Sequence, residues 1–343
     1  GPDGGMKVME PGDTSGTALY NIVTGKWSDV VINAIDPGLK AKLAPVRPST
    51  ESIGNIAAHL VEKYGLHPEC RIGAGTGDNI YGAVGTGTVK EGIVTISLGT
   101  SGTAYTFLKK PFVDPTGEIA AFCDSTGNYL PLLCVSNLAN GYNDILKLYD
   151  LSHQDFIALV RQSPVGNNGR IVVPWYEGER TPDVPIATPT YFGFGLGDLN
   201  QKDVVCRGVL EGHLLNLYDG FQRMPVQPSE IRLTGGLSRS AAWCEAIANI
   251  FNAETVAVEG EGAAMGAALH ALWVYQMEQG HTISLEEVVT PYVTLDESTR
   301  VQPNARDVAT YKTLTREFSA LSARLRNQPT DDDPFRLRKE LVG

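Results

Sequence analysis

Thr76-Gly77-Asp78-Asn79 puts one carboxylate at the mouth of a glycine turn, directly ahead of the run Ile80–Gly85. Further along, Ile96-Ser97-Leu98-Gly99-Thr100-Ser101-Gly102 is an apolar strand that breaks into a Gly-Thr-Ser-Gly turn. Far downstream a second apolar strand, Ile231–Thr234, breaks into Gly235-Gly236, followed by Ser238-Arg239-Ser240 and a helix. Small residues let backbone N–H groups approach an anion closely, so two such turns suit phosphate. A lone aspartate beside them suits a base that takes the proton of an attacking hydroxyl. The chemistry these residues point to is phosphoryl transfer to an alcohol. Each piece also has a plainer reading. The Gly-Thr-Ser-Gly turn serves equally as a hairpin loop, Asp78 as a helix N-cap, and Gly235-Gly236 as a tight strand-to-helix turn. Their joint occurrence and order favour the chemical reading.

The elements that must position them alternate between strand and helix. Periodicity predicts a helix over Ser52–Tyr64, with Ile53, Ile56, Ala57, Leu60 and Val61 on one face. A strand at Arg71–Gly75 and a short helix at Asn79–Gly85 flank the Asp78 turn. Strands are expected at Ile93–Leu98, Ala104–Leu108, Glu118–Cys123 and Tyr129–Cys134, then helices at Asn137–Tyr149, Gln154–Gln162 and Lys202–Gln222. The last third reads strand Ile231–Thr234, helix Ala241–Phe251, strand Thr255–Val258 and an Ala-rich helix Ala263–Glu278. An amphipathic helix Ala305–Asn327 carries Val308, Tyr311, Leu314, Phe318, Leu321 and Leu325 as its apolar stripe, and Thr330–Asp333 reads as a mobile acidic tail. Leu43–Pro48 reads as a linker. The class is α/β with a mixed sheet flanked by helices.

Composition narrows the partners. The 343 residues are 42% hydrophobic and 20% charged, room for one large or two medium domains. A net charge of −11 argues against nucleic-acid backbones and anionic membranes. No apolar run is long enough to span a bilayer, and Gly1-Pro2-Asp3-Gly4-Gly5 is not the start of a signal peptide. Cys70, Cys123, Cys134, Cys206 and Cys244 are odd in number and lack a Cys-x-x-Cys pair, which fits buried free thiols in a reducing cytoplasm. The histidines are dispersed, with His59 and His270 inside expected helices, so no metal is held on this chain's own showing. No Gly-x-x-x-x-Gly-Lys-Ser/Thr loop occurs, so a nucleotide would not be bound as in a P-loop protein.

With these residues in view, the chain resembles the FGGY family of carbohydrate kinases, and most closely its xylulose kinases. The resemblance runs in order through Gly12-Asp13-Thr14-Ser15-Gly16-Thr17, Thr76–Asn79, Ser97–Gly102, Pro174–Pro182, Arg207–Gly212, Thr234–Ser240 and Gly262–Ala268. It implies a ribonuclease-H-like, actin-like ATPase fold, a sugar held in a cleft, and ATP with Mg²⁺ bound mainly by a second domain. By match, Asp78 is the proton acceptor and Asn79 beside it a sugar contact. Gly99, Thr100 and Ser101 lie near the ATP phosphates; Gly235, Gly236 and Ser240 surround the nucleotide; and Gly141, in the segment Asn137–Asp144, lines the purine pocket. The sequence departs from the family at Leu196–Asn200, where a histidine pattern is replaced. The resemblance also assigns residues 1–50 to the end of a first, sugar-side domain and its linker, 51–328 to the second, ATP-binding domain, and 329–343 to a tail.

On this reading the remaining sugar contacts and the metal-side carboxylate lie upstream of this chain. The first domain, in cis or in trans, is then a partner, and a homodimer is the other way to cover the apolar surface it would leave. The expected activity is phosphorylation of D-xylulose in the cytoplasm, and a fragment without the first domain would be inactive. The rivals are another kinase of the family acting on ribulose, gluconate or glycerol, a non-catalytic nucleotide-binding module of the same fold, and a plain structural domain.

Overall fold

The computed structural model describes residues 6–260 and 262–342. Gly1–Gly5, the segment judged not to be a signal peptide, lies outside the described residues. The centre of the molecule follows from alternation. In β1 (Ile93–Leu98), Val94, Ile96 and Leu98 turn to one side and Thr95 and Ser97 to the other, the period of two that a pleated strand imposes. β2 (Gly102–Thr106) returns antiparallel, setting Thr95 opposite Tyr105 and Ser97 opposite Thr103. β3 (Ile119–Cys123) and β4 (Tyr129–Val135) continue the antiparallel half. On the other flank of β1, β5 (Glu230–Thr234) and β6 (Glu254–Val258) run parallel to it, and β7 (Leu295–Val301) closes the edge antiparallel. Among the described residues this is a seven-stranded mixed sheet in the order β7-β6-β5-β1-β2-β4-β3.

The main helices are α1 (Asp78–Gly85), α2 (Ala139–Tyr149), α3 (His153–Val160), α4 (Lys202–Phe221), α5 (Ala241–Phe251), α6 (Gly262–Glu278), α7 (Ala305–Leu325) and α8 (Pro334–Val342). α2 to α5 and α7 cover the apolar face of the sheet, where Ile96 and Leu98 pack with Tyr142, Phe156, Leu210, Ile247 and Phe318. α1 and α6 cover the opposite face. Their backbones meet through glycine: a Cβ on Gly85 would lie 1.7 Å from the Gly262 carbonyl, and one on Gly266 would lie 1.8 Å from that of Tyr81. The small residues of α6 thus serve a close helix–helix contact with α1. Beneath α1 the hydroxyls of Thr86, Thr88 and Thr95 bond one another at 2.6–3.3 Å, so the polar side chains buried there are satisfied.

Several expectations change. Ser52–Asn55 is a strand paired with Arg71–Gly73, and only Ala58–Tyr64 is helical. Gly54, at φ +131°, is in a conformation no helix contains. β7 was not anticipated because Asp296 to Arg300 are all polar; Arg300 instead pairs with Glu230, Glu254 and Glu297. Asp332 and Asp333, expected in a mobile tail, pair with Arg316 and Arg324 and lead into α8, where Leu337 is buried. All five cysteines are free, but only Cys123, Cys206 and Cys244 are buried; Cys134 is half-buried and Cys70 is exposed, in the loop before the Arg71 strand. No helix among the described residues is long and apolar enough to cross a membrane.

Candidate active site

Asp78 opens α1. Gly77 holds the cap position in extended backbone, so Asp78 is the first helical residue and its side chain stays exposed. Its Oδ1 accepts the N–H of Asn79 at 2.7 Å and the Asn79 side-chain amide at 3.2 Å. The N-cap reading is therefore set aside. The preceding turn is tied to the start of the chain by Glu10, a buried carboxylate the sequence reading left without a role. It accepts the Thr76 hydroxyl at 2.5 Å, the Gly12 N–H at 2.8 Å and the Asp13 N–H. Burial pushes its carboxyl above the usual carboxylate range, against the lowering effect of these bonds. The local signal was Glu10 ahead of Pro11, an acidic cap before a proline at the first helical position. The same contact brings Asp13 beside the turn, its Oδ1 3.6 Å from where a Cβ on Gly77 would stand.

Asp78 and Asn79 face a cavity of about 200 Å³ whose floor includes Ser97, Thr103 and Thr234 and whose wall includes Gly82 and Gly262. The three hydroxyl residues come from adjacent strands and stand in one row, Thr103 opposite Ser97 and Ser97 beside Thr234. Only the pairing of β1, β2 and β5 makes that row; alternation in β1 and β2 was its one sequence signal.

Both glycine turns lie at the carboxyl ends of parallel strands, immediately beyond this row. Gly99-Thr100-Ser101 is the loop of the β1–β2 hairpin, as its plainer reading said, with Thr100 and Ser101 exposed. The carbonyls of Gly99 and Thr100 accept N–H groups at the start of α2 at 3.1–3.2 Å. Gly235 sits at φ +87° with its Cβ position 2.6 Å from the Leu98 carbonyl, so close passage of β5 over β1 demands glycine there. At Gly236 a Cβ would meet nothing within 4 Å. Ser240 begins α5; its buried Oγ finds no hydrogen-bond partner among the described residues. Gly141 lies in the first turn of α2, and its Cβ position is 2.4 Å from the Tyr176 ring, which accounts for glycine by packing. The structure thus gathers Asp78 and Asn79 at the cavity and both turns next to it. None of Gly99, Thr100, Ser101, Gly141, Gly235, Gly236 and Ser240 is among the cavity's lining residues; the two turns meet it only through Ser97 and Thr234, which precede them on β1 and β5.

Residues 94–275 match the C-terminal domain of the FGGY family of carbohydrate kinases, and residues 4–85 match the same family's N-terminal domain. The chain belongs to the FGGY family. A xylulose kinase of Haemophilus influenzae is 32% identical over 314 residues, 90% of this chain and 62% of that protein. A gluconokinase of Bacillus subtilis is 26% identical over 344 residues, 94% of this chain and 64% of that protein. Among solved structures, a ligand-bound xylulose kinase from Lactobacillus acidophilus superposes with a TM-score of 0.81 at 25% identity, covering 94% of this chain and 64% of that one. The chain therefore spans less than two thirds of the length of these FGGY relatives. Its sheet is that of the actin-like, ribonuclease-H-like ATPase fold these kinases share. The departure at Leu196–Asn200 forms an exposed turn whose Asp198 pairs with Arg170 at 3.1 Å.

Among the described residues no cluster of three or more His, Cys, Asp or Glu is arranged to hold a metal ion. An ion carried on nucleotide phosphates needs only one or two carboxylates. Asp13 is an exposed carboxylate beside the Asp78 turn, its Oδ1 3.6 Å from the Gly77 Cβ position.

Proposed function

We propose that this chain supplies the base and the nucleotide-side wall of an ATP-dependent sugar kinase that converts D-xylulose to D-xylulose 5-phosphate. The observation that carries the reading is the exposed Asp78 carboxylate at the head of α1, facing a hydroxyl-lined cavity directly beside two glycine turns. In this mechanism Asp78 orients the sugar hydroxyl and accepts its proton late in the transfer, while Asn79 contacts the sugar. Amides of Gly99–Ser101 and Gly235–Gly236 face the phosphates, with Ser240 and Gly141 further along the nucleotide, and stabilise charge on the transferring group. Mg²⁺, when bound with ATP, would neutralise phosphate charge; Asp13, the exposed carboxylate beside the Asp78 turn, would hold it.

We read residues 1–50 as the end of a sugar-side domain, 51–328 as the ATP-binding domain and 329–343 as its tail, although the N-terminal family match reaches past that boundary to residue 85. The opposing wall then belongs to the part of the relatives that has no counterpart here, and the chain alone binds nucleotide weakly without turning over sugar. ADP formation by residues 1–343, with and without that lobe, across D-xylulose, D-ribulose, gluconate and glycerol tests all three statements. Robust turnover by the chain alone refutes the division of labour. Higher kcat/KM for gluconate moves the substrate to the second reading, which the gluconokinase relative favours.

A further inference from the structure

The run Pro174–Pro182 touches the site described so far only through the Tyr176 ring beside Gly141, yet it contains a buried carboxylate that accepts five hydrogen bonds. Glu179 is 3% exposed. Its Oε1 accepts the backbone N–H groups of Ser136 at 2.5 Å and Arg180 at 2.7 Å. Its Oε2 accepts the Asn137 side-chain amide at 3.0 Å, the Asn216 side-chain amide at 3.2 Å and the Asn137 N–H at 3.3 Å. The donors are themselves fixed: Asn137 also donates to the Gly178 carbonyl at 2.8 Å, and the Trp175 indole donates to Asn216 at 2.9 Å.

What this anchors is the approach to α2. Leu138 and Ala139 follow Asn137 directly, and their N–H groups donate to the Thr100 carbonyl at 3.1 Å each, Ala139 also reaching Gly99 at 3.2 Å. In a planar trans peptide the N–H points opposite to the carbonyl it is joined to. Drawing the Gly99 and Thr100 carbonyls toward α2 therefore aims the N–H groups of Thr100 and Ser101 the other way, out of the turn.

We propose that Glu179 is a positioning residue for nucleotide: by fixing Ser136 and Asn137 it holds the Thr100 and Ser101 amides toward a phosphate of a nucleoside triphosphate. The proposal rests on the kinase reading above. Glu179→Gln keeps the shape but turns an NH₂ toward one set of donors. In the assembled kinase it should raise KM for ATP about tenfold and leave KM for the sugar within about twofold. Hydrogen exchange in the 343-residue chain should show faster exchange at Leu138 and Ala139. Asn137→Ala, which removes side-chain donors and keeps every backbone amide, should raise KM for ATP about threefold. Unchanged KM for ATP in either variant overturns the proposal, and so does an equal rise in both KM values, which marks a structural role only. If the wild type neither binds ATP nor forms ADP with sugar, the kinase reading fails. Exchange at Leu138 and Ala139 in Glu179→Gln still decides whether the carboxylate holds the turn.

Discussion

The two faces of β1 and β2 make opposite demands on the same few residues. On one face Val94, Ile96, Leu98 and Ala104 are buried against helices and need only volume and apolarity. On the other, Thr95, Ser97, Thr103 and Tyr105 need a partner for each polar atom. Where α1 covers that face the demand is met internally: Thr95 is buried among Thr86 and Thr88, and burial pushes the Tyr105 hydroxyl up to about 12 despite its bonds to Thr86 and Thr95, although Thr86 and Tyr105 also reach the edge of the cavity. Two residues past Thr95, Ser97 lines the cavity instead. The same alternation that builds a core on one side delivers binding hydroxyls on the other, and the site begins where the helix stops covering the polar face.

If the division holds, substitutions on the two sides fail differently. The largest effect belongs to Asp78→Asn on the polar side. It should lower kcat of the whole kinase about a thousandfold while leaving the melting temperature unchanged. A variant retaining more than about a tenth of normal turnover removes Asp78 as the base. Ile96→Ala, on the apolar side, should cost about 3 kcal/mol in urea unfolding and leave the kinetics of the folded enzyme intact. A matching fall in kcat would mean that the faces are not separable.

The strand ends sharpen the comparison. Gly235→Ala combines a positive φ with a clash on the Leu98 carbonyl and should destabilise by about 2 kcal/mol, whereas Gly236→Ala meets open space and should be neutral to stability. Gly236→Val should weaken ATP binding without unfolding; equal titrations for variant and wild type move the nucleotide elsewhere. The smallest effect concerns Glu10. Its carboxyl is raised above 4.5, so the folded state holds the proton more tightly than the unfolded chain. That contribution is complete below pH 4.5 and is lost as pH climbs through the raised value. Glu10→Gln should flatten this decline, a difference of about 2 °C in melting temperature between acid and neutral pH. Parallel profiles would show that Glu10 does not titrate in that window.

Local order determined a good deal. The helix Ala241–Phe251 was bounded as the structure has it, the hairpin around Gly99–Ser101 was read from one apolar run and its turn, and the ordered runs from Gly12 to Ala268 pointed to the family. All of these rest on interactions within a few residues, which is why they are legible in one dimension. Tertiary structure decided what depends on distant partners. Ser52–Asn55 became a strand because Arg71–Gly73 pairs with it, and β7 became one because Arg300 finds carboxylates on β5 and β6. Glu10 reaches Thr76, Ser97 aligns with Thr103 and Thr234, and Glu179 reaches Ser136 only once the chain has folded back on itself. A buried polar group must find its partner wherever the fold puts one, and sequence spacing carries no record of that distance.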